Sequence, residues 1–342
     1  MNISRLNNYA LILKVGILGL LIGLVPAEAS AEKADYAVPG KIRVSKDNAT
    51  TPERAALGKA LFFDPRLSGS NWISCGTCHN PTLGWSDGLP TAIGEGQKVL
   101  GRATPTILNT AYNRKQFWDG RARDLEHQAV GPIQASGEMN QDMAGLIDEI
   151  KQYKGYVEMF DKAYPGEGIN EKTIGKAIAA FERTIVTKDS PFDRWINGDE
   201  NAISTAAKRG FEVFDREDKG NCSACHQGYN FVDDGFHNIG LPNTNDEGRY
   251  KFVKVAVLKG AFKTPTLRDI TRTAPYMHNG AYATLEEVVE HYNKGGVVKD
   301  NLDPNMKPLH LSKREKQDLV EFLKTLTGDA VDVTYPVLPT KF

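Results

Sequence analysis

A five-residue run that occurs twice, Cys75-Gly-Thr-Cys-His79 and Cys222-Ser-Ala-Cys-His226, constrains this chain more than any other feature. Cys-x-x-Cys-His is the attachment signature of c-type haem. On a helical turn, residues three and four apart share one face. Two thiols can then reach the two vinyl groups of one porphyrin while the next imidazole points at the iron. The spacing predicts that Cys75 and Cys78 form thioethers to one haem, with His79 as proximal ligand. Cys222, Cys225 and His226 would do the same for a second. A redox disulfide of the thioredoxin kind needs a βαβ setting, which neither run has. A zinc module would bring its ligand pairs within about 12–20 residues of each other, whereas these lie in different halves of the chain. All four cysteines belong to the two runs, so the fold must enclose two haems.

The N-terminus fits that chemistry. Arg5 and Lys14 precede an apolar run from Val15 to Val25, and Ala27-Glu28-Ala29 has the small-x-small form of a cleavage site. The run is short for a membrane span of about 20 residues, so residues 1–29 are read as a secretory signal peptide, with an uncleaved anchor as the alternative. Haem is attached to such motifs outside the cytoplasm, and the expected location is the periplasm. A formal net charge of −1 carries no basic footprint for nucleic acid. A chain of 342 residues is long enough for two domains, and one haem run falls in each half.

Along the chain, residues 30–50 read as an exposed lead-in. Thr51-Pro52-Glu53 opens a helix that turns Leu57, Leu61 and Phe62 inward. Glycine and proline are dense from Asn80 to Thr110, which reads as a long loop around the first haem. A short helix through Gln128 follows. Met143, Leu146, Ile147, Ile150 and Tyr153 recur at helical spacing, as do Ile174, Ala177, Ile178, Phe181 and Ile185, and both stripes read as core. Asp189-Ser-Pro191 marks a domain junction, and a hairpin is expected near Phe252–Leu258. Thr284-Leu-Glu-Glu287 and Ser312-Lys-Arg-Glu315 are capping boxes that open the last two helices. The class is mainly α. The expected division is 41–188 and 189–328, with a tail at 329–342 packing on the first part.

Several motifs in order resemble the bacterial di-haem cytochrome c peroxidases and their MauG-type relatives. They include Asp64-Pro65-Arg66-Leu67-Ser68, Phe117-Trp118-Asp119-Gly120-Arg121, Gly131-Pro132-Ile133-Gln134 through Glu138-Met139, Pro265-Thr266-Leu267-Arg268 and Ala274-Pro275-Tyr276-Met277-His278, together with the two haem runs. The resemblance implies two cytochrome c-like haem domains packed against each other. It implies that the haem on His79 takes peroxide, that Glu138 is the distal acid/base and Gln128 the distal amide, and that Trp118 bridges the haems. A positioned carboxylate suits the chemistry, because heterolytic O–O cleavage needs a proton moved between the peroxide oxygens.

The chain also departs from the family pattern. Where peroxidases that need reductive activation keep a blocking loop histidine, this chain has Glu95, so the first iron is expected to be open in the resting state. The usual methionine ligand of the second haem falls at Tyr292. Leu285, Val288 or Val289, and Tyr292 form one helical stripe, with His291 about 100° round the helix. Tyr292 is the expected ligand, and His291, Met277, Met306 or water are the alternatives. The family's inter-domain calcium loses an asparagine oxygen at Ala103, which leaves Thr273 and Pro275 as carbonyl donors and the ion undecided. The surface tryptophan that MauG-type enzymes carry before the second motif is replaced by Lys219-Gly220-Asn221. His127, His237 and His310 read as surface or hydrogen-bonded residues, and His278 as packing at the second haem's edge.

The expected function is a di-haem peroxidase that reduces hydrogen peroxide to water with electrons from a small c-type cytochrome or a cupredoxin. The alternatives are a MauG-type enzyme that oxidises residues of a partner protein, and a di-haem electron carrier.

Overall fold

The structure is a computed structural model that describes residues 33–38, 42 and 44–341; the expected leader at 1–29 lies outside them. It is mainly helical, as expected. In the first half, α1 (Pro52–Phe62), α2 (Leu125–Gln134), α3 (Met143–Ile150), α4 (Lys154–Ala163) and α5 (Glu171–Glu182) surround an apolar core that includes Leu57, Leu61, Phe62, Ile133, Ile178 and Phe181. In the second, α6 (Pro191–Ile196), α7 (Thr205–Asp215), α8 (Leu285–Asn293) and α9 (Lys313–Lys324) surround another, built on Phe192, Phe211, Phe214, Phe231 and Phe322.

Local sequence explains where the helices begin. Thr51 Oγ1 accepts the Arg54 N–H at 3.3 Å ahead of Pro52, which has no N–H for the first turn to waste. Thr284 with Glu287 and Ser312 with Glu315 close the two predicted capping boxes.

The halves repeat one plan. α1 packs on α5 as α7 packs on α9. At Gly58 a Cβ would fall 1.8 Å from Ala177 O and 2.9 Å from Phe181 Cβ; at Gly210 it would fall 1.9 Å from Asp318 O and 2.8 Å from Phe322 Cβ. Each helix crossing therefore depends on a glycine seated on a carbonyl, with a phenylalanine one turn further on. The segments 105–130 and 265–290 also share their backbone. Asn109 and Asp269 take φ values of 60° and 59°, Gly120 and Gly280 take 64° and 62°, and the bridges Gln116–Ala122 and Tyr276–Tyr282 match. Trp118 and His278 consequently occupy equivalent places in the two copies.

Three expectations need correction. The segment Phe252–Leu258 is not a hairpin: one helical turn, Arg249–Lys251, precedes it and another, Ala256–Leu258, forms its end. Its alternating valines have no sheet to cover, and Val257 is 70% exposed. The strands are β1 (Phe236–His237) and β2 (Phe262–Lys263), an antiparallel pair. The lead-in is not simply exposed either. Tyr36 packs among Phe192, Phe211 and Phe231, and the buried Asn48 amide donates to Glu126 and to Lys176 O. The short helix expected through Gln128 continues to Gln134. At the other end, Val331, Val333 and Leu338 pack on the first core, and Arg66 donates to Pro339 O at 2.9 Å.

Candidate active site

Both Cys-His runs form a tight turn that aims three side chains one way. Cys75–Cys78 is a single helical turn closed by Ser74 and Thr77, and Cys222–Ala224 is its 3₁₀ counterpart. In each, the histidine N–H donates to the first cysteine's carbonyl at 2.8 Å (His79 to Cys75 O, His226 to Cys222 O). The imidazoles are oriented by backbone: Nδ1 lies 3.2 Å from Trp85 O in His79 and 2.9 Å from Phe231 O in His226. A carbonyl partner places the proton on Nδ1 and leaves the Nε2 lone pair for a metal, the usual outer contact of a ligating histidine. Burial keeps both rings neutral, holding His79 below its ordinary pKa and pushing His226 down to about 4.

Both turns open into one connected cavity of about 1370 Å³. That exceeds the 300–1,000 Å³ of a single small-molecule pocket. All four cysteines are free thiols lining it. Two oriented imidazoles, four unpaired thiols and this volume fit two haems.

On the side of His79, Glu138, Gln128 and Arg121 line the cavity. Glu138 sits on the turn after α2, which is tied down because Ala135, Met139 and Gln141 N–H groups satisfy the helix's last carbonyls. Burial raises the Glu138 pKa, and Arg121 opposes that shift. The Arg121 guanidinium lies 4.0 Å from the Glu138 carboxylate and 3.5 Å above the Phe117 ring. Asp119 is buried between Arg121 and Arg102, and Arg102 continues to Asp246 at 2.6 Å. The chain of charges fixes Arg121 from behind. Glu95 does not line the cavity; its carboxylate accepts from Ser70 Oγ at 2.8 Å.

Trp118 stands in the shared wall, with Nε1 donating to Ala103 O at 2.9 Å. Its indole meets the His278 ring edge-on at 6.3 Å, and His278 stacks on Phe262 at 3.6 Å. His278 is buried in the cavity wall, and burial pushes its pKa down to about 4.

Around the second turn, Tyr292, Met277 and Met306 line the cavity. His291 does not: its Nδ1 lies 2.9 Å from Tyr282 Oη and its Nε2 2.9 Å from Ile239 O, so both nitrogens are occupied. Burial raises the Tyr292 phenol, and the Cys222 and Cys225 sulfurs add to the shift. Ala103, Thr273 and Pro275 all line the cavity, Ala103 with no side-chain oxygen. His127 and His310 are exposed. His237 is half-buried between Asp233 at 2.7 Å and Asp303 at 2.6 Å, and these contacts, with Cys225, raise its pKa to about 11. Cys225, Asp233 and His237 are close enough to hold a metal ion, but thioether formation at Cys225 would remove the thiolate from that set.

Three cavity groups escaped the sequence reading as functional candidates: Arg121, Lys263 and Glu182. Glu182 continues the Ile174–Ile178 stripe of α5, which is the signal that could have found it. It is 3% exposed and its Oε2 has no hydrogen-bond partner among the described residues. Its neighbour Arg183 is engaged by Glu126 at 2.6 Å. Burial pushes the Glu182 carboxyl up to about 8. A carboxyl raised on folding is protonated in both states at low pH, so it has no effect there. As pH rises from about 4.5 toward about 8, the unfolded chain ionises first and stability is lost. Glu182→Gln is therefore expected to raise the thermal midpoint at pH 8 and leave it unchanged at pH 4. Equal midpoints at pH 8 would remove the ionisation cost.

A profile of the di-haem cytochrome c peroxidase family matches residues 52–201. Among curated relatives, the methylamine utilization protein MauG of Methylorubrum extorquens is 48% identical, over 91% of this chain and 89% of its own length. The cytochrome c551 peroxidase of Pseudomonas aeruginosa is 36% identical, over 88% and 86%. Among solved structures, a MauG-like protein associated with microbial copper homeostasis superposes with a TM-score of 0.80 at 30% identity, over 86% of this chain and 94% of that one.

Proposed function

Since the chain belongs to the di-haem cytochrome c peroxidase and MauG family, whose members carry two haem groups and act on peroxide, we propose that it is an exported peroxidase. It would reduce hydrogen peroxide to water with electrons from a small c-type cytochrome or a cupredoxin. The observation that carries this reading is the single cavity joining both Cys-His turns, with Glu138 and Arg121 at one end and Trp118 in its wall.

Cys75 and Cys78 would hold one haem covalently and Cys222 and Cys225 the other, with His79 and His226 facing the irons. When bound, the haems supply iron centres that accept peroxide oxygen and exchange single electrons. The chain supplies the rest. The Glu138 carboxylate takes the proton from one peroxide oxygen and returns it to the other, the leaving one. Arg121, held by Asp119, offers positive charge where negative charge develops on that oxygen. Gln128 adds an amide to the same end. The Glu95 side chain, turned to Ser70, leaves the face of the first site clear. Trp118 is the electron path between the two ends, and Tyr292 the oxygen ligand of the second site. A calcium ion would have the Thr273 and Pro275 carbonyls, with water in place of the oxygen lost at Ala103. The two halves would be the haem domains 41–188 and 189–328. The leader at 1–29 would deliver the chain to the periplasm; among the described residues no helix is long and apolar enough to cross a membrane.

One observation favours a second reading, in which the same chemistry oxidises residues of a partner protein. Two MauG relatives are 48% and 43% identical, above the 36% and 37% of two cytochrome c551 peroxidases, and Tyr292 lines the second site. Steady-state peroxide consumption with a reduced small cytochrome or copper protein decides between them. Rapid turnover supports the peroxidase. Slow turnover with a covalent change in a co-purified protein supports the second reading, and no reaction with peroxide removes both.

A further inference from the structure

Lys263 is a buried cation to which the reading above gives no task. It is 8% exposed and lines the shared cavity. Its ammonium donates to Thr264 O at 2.8 Å, a neutral acceptor. No carboxylate among the described residues lies within ion-pair distance of it. The two acids that act on it from further away, Asp234 and Asp233, already have partners: Arg114 holds Asp234, while His237 and Thr264 Oγ1 hold Asp233. A buried ammonium without an acid beside it is unfavourable unless a bound group brings the negative charge.

The surroundings indicate which group. The Lys263 N–H donates to Trp118 O at 2.7 Å, and the ammonium is near enough to His226 to act on its imidazole. The preceding ring, Phe262, stacks on His278, which meets Trp118. Lys263 thus stands between the second Cys-His turn and the Trp118 wall. A c-type haem has two propionate carboxylates on its rim, and one seated on His226 would bring them into this cavity.

We propose that Lys263 anchors a propionate carboxylate of the haem seated on His226, and that this contact sets that haem's reduction potential. The proposal rests on His226 being a haem ligand. A positive charge held against the propionate favours the reduced, more negative centre. Its removal favours the oxidised one.

The test uses exported, haem-loaded protein carrying Lys263→Met or Lys263→Arg, with haem per chain counted by the pyridine haemochrome spectrum and both potentials followed by optical redox titration. Lys263→Met is expected to shift the second haem's reduction equilibrium at least tenfold toward the oxidised form, about 59 mV for one electron. The first haem should not move, and Lys263→Arg should stay close to the parent. An unmoved second potential in two-haem Lys263→Met overturns the anchor. If Lys263→Met loses the second haem, its retention in Lys263→Arg supports the anchor, while loss from both overturns it in favour of plain packing. A free anion would use the same ammonium, so the parent is also titrated with chloride at constant ionic strength. A potential that follows chloride assigns Lys263 to a free anion and overturns the proposal; one that ignores it supports the propionate. Haem counting on the parent checks the underlying reading separately, because a single haem per chain sinks that reading, whereas two haems with an unmoved potential sink only the anchor.

Discussion

Glu138→Gln is expected to slow the reaction with hydrogen peroxide by about 10²–10⁴-fold, the range for a lost general acid/base. The haem spectrum should be unchanged. The substitution keeps the side chain's size and its place on the turn after α2, and it removes only the ability to carry a proton. The charge environment makes the prediction sharper. Burial raises the Glu138 pKa, so the ionised form needed to accept a proton disappears at a higher pH than for an exposed carboxylate. In the parent, the rate of peroxide binding measured by stopped flow should fall as pH drops through that raised value. In Glu138→Gln the fall should be absent. Removing Arg121, 4.0 Å away, takes away a positive charge that favours the carboxylate, so Arg121→Gln should move the acid limb to higher pH. A Glu138→Gln rate near that of the parent would take the residue out of the mechanism.

What the sequence made legible was whatever is encoded locally. The Cys-His turns and the Thr284 and Ser312 capping boxes are each set by residues a few positions apart and are found where the pattern puts them. The helical stripes are core but run past their helices, with Tyr153 beyond the end of α3 and Ile185 beyond that of α5. The burial of Tyr36 and Asn48 depends on partners far along the chain, and no periodicity announces a lone anchor. The strand pair β1 and β2 was missed because two residues per strand carry no alternation to detect. The cavity followed the same division. Cys75, Cys78, Cys222, Cys225 and both histidines were visible from chemistry, and Glu138, Gln128, Trp118 and Tyr292 from the resemblance. Arg121 stands out in the sequence only as part of a motif, since its approach to Glu138 depends on a loop held by Asp119. Between Tyr292 and His291 the helical stripe pointed to the tyrosine. The structure adds why the histidine is a poor candidate: Tyr282 and Ile239 engage its nitrogens.

Tyr292→Met is expected to raise the second haem's reduction potential by on the order of 0.1 V or more, part of the roughly 0.8 V over which axial ligands tune haem. The phenol lies in a buried wall and its pKa is held above the ordinary value, so without a metal it remains protonated. Only a centre with strong positive charge beside it makes the phenolate the favoured form. An anionic oxygen on the iron then stabilises the oxidised states, whereas a methionine sulfur favours the reduced one. The substituted protein should behave more like a methionine-ligated peroxidase: easier to reduce at the second site and less able to keep an oxidising equivalent there. Tyr292→Phe separates ligation from packing, because it keeps the ring and removes only the oxygen. Its low-spin ferric signal should change in electron paramagnetic resonance as Met277, Met306 or water takes the position. If spectrum and potential are both unmoved in Tyr292→Met and Tyr292→Phe, the oxygen is not on the iron and the tyrosine serves as part of the wall.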